Sequence, residues 1–126
     1  MTDAVPPPVV LRVPAEGSFV STVRIFAGAI GRRSDLDDER IDDLKLALSE
    51  IASGMIADGT EARSLAFEIA TDESGVHVRT TGPLTGADPS ADIGADHRRR
   101  LLEALVPDAI WSTEGDEQLV TFSLAR

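Results

Sequence analysis

Apolar residues recur at helical spacing in one long stretch of the chain, where Ile41, Leu44, Leu48, Ile51 and Met55 step by three, four, three and four. That stripe predicts an amphipathic helix from near Asp37 to about Ala57, with Gly59 just beyond as a stop. Upstream, Phe19, Val20, Val23, Phe26, Ala27 and Ile30 repeat in the same way after Ser18, a residue able to cap a helix, and Gly31 reads as the end. Elsewhere the period changes to two. Leu65, Phe67 and Ile69 alternate with polar or small residues, and so do Val76, Val78 and Thr80, with Asp72-Glu73-Ser74-Gly75 between them as a hairpin turn. Val9 to Val13 is a short β-rich run closed by Pro14, which suits an edge strand. Asp96 is placed to cap a short helix carrying Leu101, Leu102, Leu105 and Val106, which Pro107 ends. Ile110 to Thr113 and Gln118 to Ala125 read as a last strand pair with Val120, Phe122 and Leu124 inward, and Trp111 beside Ile110 reads as core.

The predicted order is strand, helix, helix, strand, strand, loop, helix, strand, strand. Hairpin-linked strands pair antiparallel, and amphipathic helices must bury their stripes against one face of the sheet. The expectation is therefore an α+β two-layer sandwich with helices on one face of a mixed, mostly antiparallel sheet. Residues 1–8, with Pro6, Pro7 and Pro8, read as a disordered or polyproline tail ahead of one domain over 9–126. Thr81 to Ala95 holds three glycines and two prolines and reads as a loop, expected to be mobile or packed across a pocket.

Composition narrows the function. The 126 residues are 42% hydrophobic, which suits a single core. The 22 acidic and 12 basic side chains leave a net charge of -10, which repels phosphate backbones and anionic lipid. General nucleic-acid or membrane-surface binding is therefore excluded as a function class. Without cysteine there is no disulfide, thiol nucleophile or thiolate metal site. No run approaches the length of a membrane span, and the first ten residues lack the basic and apolar segments of a signal peptide. A cytoplasmic location is the expectation.

Four residues share a helical face beside the core stripe: Asp43, Ala47, Glu50 and Gly54. Such a small, acidic face either allows close packing with Glu50 solvated, or forms a pocket floor with Glu50 as a base or metal-shell carboxylate. Arg98, Arg99 and Arg100 either bind an anion or an acidic partner patch, or form a solvated face. Asp88, Asp92, Asp96 and His97 fit neither an EF-hand nor a zinc spacing, so loop turns and a helix cap explain them better. His77 and His97 have no neighbouring serine or aspartate in sequence that amounts to a triad, and both read as structural or solvent-facing. No metal is expected.

The run Ile41-Asp42-Asp43-Leu44-Lys45-Leu46-Ala47-Leu48-Ser49-Glu50 resembles the second helix of the bacterial anti-sigma-factor serine kinases, in the histidine-kinase-like ATPase (GHKL) superfamily. The opening strand, Val23-Arg24, the hairpin and Leu101 to Val106 follow in the same order over about residues 9–125. The resemblance implies a histidine-kinase-like ATPase fold with a truncated ATP lid, and Glu50 at the position of the family's general base. It also implies losses. Gly54 stands where the family has a magnesium-holding asparagine. Thr80 stands at the adenine-accepting aspartate, with Gly82 at the first glycine of that box and Leu84 at the second. Arg98 to Arg100 replace the glycine-rich start of the last helix. Glu50, Gly54, Thr80, Gly82 and Leu84 are thus vestigial nucleotide-site positions. The implied function is a regulatory protein-binding module without nucleotide binding, whose partner is a sigma factor or an anti-anti-sigma factor; the family also suggests a homodimer. The alternative is an active serine/threonine protein kinase using ATP and magnesium with Glu50 as catalytic base. A purely structural or dimerisation domain is the third reading.

Overall fold

The computed structural model describes residues 7–85 and 93–126, apart from the side chains of 93–95. Strand β1 (Val9–Pro14) leads through a 3-10 turn at Gly17–Phe19 into helix α1 (Val20–Arg33) and helix α2 (Asp38–Gly54). Strands β2 (Ser64–Asp72) and β3 (Gly75–Pro83), helix α3 (Ile93–Leu105) and strands β4 (Ile110–Glu114) and β5 (Glu117–Ala125) follow. The strands form one sheet in the order β1-β2-β3-β5-β4, and every pairing among the described residues is antiparallel. The expected mixed sheet is therefore corrected. The β2–β3 and β4–β5 connections are hairpins, and the α1–α2 connection returns from β1 to its neighbour β2. The α3 connection carries the chain from β3 past one strand position to the edge strand β4, leaving the gap that β5 fills.

The helical stripe of α2 meets the inner face of the sheet as its spacing requires. Leu44, Leu48, Ile51 and Met55 are buried in one cluster with Leu65, Phe67 and Ile69 of β2, Val76 and Val78 of β3, and Val120 and Phe122 of β5. Each such side chain contributes roughly 1.5–3 kcal/mol by leaving water. The start of α2 is fixed by Asp37, whose carboxylate accepts the Arg40 backbone N–H at 2.8 Å. The β2–β3 turn needs Gly75, at φ 141°, because a side chain there would fall on the carbonyl oxygen of Leu124.

Element ends depart from the sequence reading for local reasons. Gly31 does not end α1; it lies buried inside the helix, where an added Cβ would come within 2.9 Å of Ile41 Cγ1. Its small size serves the crossing of α1 and α2, and Asp35 makes the turn at φ 58°. Ser18 lies in the 3-10 turn, and no side-chain cap opens α1. Helix α2 ends at Gly54 rather than Ala57, and α3 starts at Ile93, so Asp96 sits in its first turn and not at its cap. Trp111 is not core: it is 47% exposed, because β4 is the last strand and the helix layer does not cover it. Residues 86–92 of the expected loop, and 1–6 of the expected tail, lie outside the described residues.

Candidate functional site

Glu50 and Gly54 lie one turn apart on α2, above Ala47, which is fully buried. Arg98 reaches across from α3. Its Nε stands 3.4 Å from Glu50 Oε2, and both side chains are less than a third exposed, at 27% and 29%. The Nε–H is nevertheless buried and makes no hydrogen bond among the described residues, so the contact is a charge pair rather than an aligned bond. The same arginine covers Gly54, where an added Cβ would lie 3.2 Å from Arg98 Cδ. Its neighbours do other work, with Arg100 pairing with Asp96 at 3.2 Å while Arg99 is exposed.

The remaining site positions sit on or just after β3. Thr80 is fully buried, and its hydroxyl has no hydrogen-bond partner among the described residues. Gly82 faces the same side of the sheet, walled by Met55 Sδ and Leu65 Cδ2, which an added Cβ would approach to 2.6 and 2.8 Å. Leu84 is exposed, and its N–H donates to the carbonyl of Asp116 at 3.0 Å in the β4–β5 turn. Glu50, Gly54 and Arg98 therefore converge, Gly82 lies against Met55 beside Gly54, and Leu84 stands apart. No group of three or more potential metal-ligating side chains occurs among the described residues; Asp88 and Asp92 lie outside them.

A second constellation escaped the sequence reading. On the sheet face turned away from the helices, His77 of β3 sits directly opposite Ser123 of β5. His77 Nδ1 is 2.8 Å from Ser123 Oγ, and Nε2 is 2.9 Å from Asp72 Oδ2. Asp72 in turn accepts the backbone N–H of Ser74 at 2.8 Å and its hydroxyl at 2.6 Å. The Ser74 hydroxyl, then His77, hold the Asp72 carboxyl well below the usual carboxylate range. The only signal in the sequence is that His77 and Ser123 occupy outward positions of alternating strands, separated by 46 residues.

No protein-family model matches this chain, and no curated protein matches it. Among solved structures, it is similar to the crystal structure of the RsbU and RsbW domains of Rv1364c from Mycobacterium tuberculosis, with a TM-score of 0.72 and 19% sequence identity. The likeness covers 95% of this chain and 32% of that one, so this chain spans about a third of the solved chain's length. This chain shares that fold. The likeness is one of fold: in this chain three helices accompany a five-stranded antiparallel sheet. No helix among the described residues is long and apolar enough to cross a membrane.

Proposed function

We propose that this chain is a regulatory protein-binding module of the anti-sigma-factor type that keeps the kinase fold without binding nucleotide. One observation carries the reading: Arg98 covers Gly54 and pairs with Glu50, the carboxylate that the resemblance puts at the position of the general base. The residues present do not suit magnesium-ATP. Gly54 offers no ligand atom, Thr80 supplies a hydroxyl in place of a carboxylate, and a cation already neutralises Glu50. Phosphoryl transfer depends on positioned metal and charge, so a lone paired glutamate cannot supply it. Losing a hydrogen bond to a charged group costs about 1.5–3 kcal/mol. Two such losses weaken binding by roughly 10³-fold.

In this reading the module acts by occupying a sigma factor or an anti-anti-sigma factor through its helices and an open sheet edge. Its solved neighbour contains an RsbW domain, which supports a regulatory role of this type. The second reading, an ATP-dependent serine/threonine kinase, is favoured by the buried, unpartnered hydroxyl of Thr80, a polar atom that a bound base could satisfy. Calorimetric titration with magnesium-ATP separates the two. The module should show a millimolar or weaker dissociation constant and should co-elute with a sigma or anti-anti-sigma factor of its own cell without nucleotide. A micromolar constant would overturn the proposal and return Glu50 to the role of base.

A further inference from the structure

The opposite face of the sheet carries a chain of three groups at the spacing that nucleophilic catalysis uses. An ionised Asp72 can only accept a hydrogen bond, so the 2.9 Å contact puts the imidazole proton on His77 Nε2. Nδ1 is then left with a free lone pair, 2.8 Å from Ser123 Oγ, and the serine hydroxyl is the donor. A carboxylate thus fixes the tautomer and orientation of a histidine that accepts from a serine, which is the logic of the serine triad, with the two ring nitrogens exchanged.

Backbone and turn hydrogen bonds hold these partly exposed groups in place. His77 and Ser123 form a cross-strand pair between adjacent strands near the β2–β3 turn, Asp72 accepts two hydrogen bonds from Ser74, and the turn is tied to β5 by the Arg126 N–H on the Ser74 carbonyl. An open cleft of about 440 Å³ borders them, with Pro8, Ala70 and Ile110 as apolar lining and with Arg79, Glu68 and Asp108 as charged groups, Asp108 Oδ2 accepting the Ser123 backbone N–H at 3.0 Å. Arg79 lies two residues from His77 and is the diagonal neighbour of Ser123, within reach of a long side chain. Its Nε is 3.8 Å from Glu68 Oε2, too long for a hydrogen bond.

We propose that Ser123, His77 and Asp72 form an acyl-transfer site that takes small carboxylic esters in this cleft. Ser123 Oγ attacks the ester carbonyl carbon and its proton passes to His77 Nδ1. The bond to the alcohol oxygen then breaks, and the alcohol leaves with that proton. Water, deprotonated by the same nitrogen, hydrolyses the Ser123 ester, releasing the carboxylic acid and restoring the hydroxyl. Arg79 supplies positive charge for the oxyanion formed in each half. Asp72 is a positioning residue. The site lies on the other side of the sheet from Glu50 and does not depend on the regulatory reading.

The test uses the full chain, p-nitrophenyl acetate as substrate and a fluorophosphonate as covalent probe. The expected result is ester hydrolysis together with a single fluorophosphonate adduct that peptide mass mapping assigns to Ser123. Ser123→Ala should abolish the adduct and the hydrolysis above background. Asp72→Asn should slow labelling by about 10²-fold or more, and Asp72→Glu should restore part of it, which a merely structural role would not predict. Circular dichroism checks that each variant is folded, and the adduct map on the unmodified chain needs no variant. Absence of an adduct on Ser123, an adduct on another residue, or wild-type hydrolysis by Ser123→Ala would each overturn the proposal.

Discussion

Arg98 reaches Glu50 from a different helix, so the charge on that face of α2 is set by a residue 48 positions away. Removing it frees Glu50 but adds no ligand atom at Gly54 or Thr80. Arg98→Ala should therefore leave magnesium-ATP binding undetected by calorimetry. Because the pair is partly solvated and poorly aligned, its loss should change stability by no more than about 1 kcal/mol. Gly82 is the stricter position. Its two nearest neighbours, Met55 and Leu65, are fully buried, so Gly82→Ala overpacks the core and should destabilise the protein by about 1–3 kcal/mol in urea titration. Asp72 gives a pH signature. Its folded-state carboxyl binds protons less readily than in the unfolded chain, so its contribution is complete above the ordinary value of about 4. That contribution is lost as pH falls below about 4. Melting curves of the wild type and Asp72→Asn should differ at neutral pH and draw together in acid.

Among the elements, α2 is the one that most directly couples the helices to the sheet, and Leu48 is its centre at 0% exposure. Leu48→Ala should cost about 2–5 kcal/mol in denaturant unfolding, and a loss below about 1 kcal/mol would mean that the site relaxes into the gap. This helix was legible because Ile41, Leu44, Leu48, Ile51 and Met55 obey one period over four turns. The hairpin of β2 and β3 was legible for the same kind of reason, since alternation and the turn residues agree. Helix ends were less so: Gly31 looks like a terminator in sequence, yet its role is to let Ile41 approach. In α3 the phase decides the chemistry. Arg98 precedes the buried Leu102 by one turn, so it shares the inward side, but a run of three arginines hides which of them does so.

At the scale of the molecule, the sheet has two unlike sides, one sealed by helices and one left open with His77, Arg79 and Ser123 upon it. Sequence alternation separates these sides well, because burial imposes a period of two. It says nothing about which outward residue of one strand faces which of another, since that depends on register across long loops. For that reason the Glu50 face was visible in the sequence and the His77–Ser123 pair was not. The open rim ends at β4, every residue of which is exposed. Edge strands with free backbone groups invite another strand to pair.

Trp111 on that last strand is the only tryptophan, and the chain has no tyrosine. Its near-ultraviolet spectrum therefore comes chiefly from one indole that is already half in water. Emission from the folded protein should resemble that of the unfolded chain, so melting of the core passes almost unseen by intrinsic fluorescence. A blue shift on mixing with another protein would then have one principal source, the drying of the β4 rim by whatever has been laid against it.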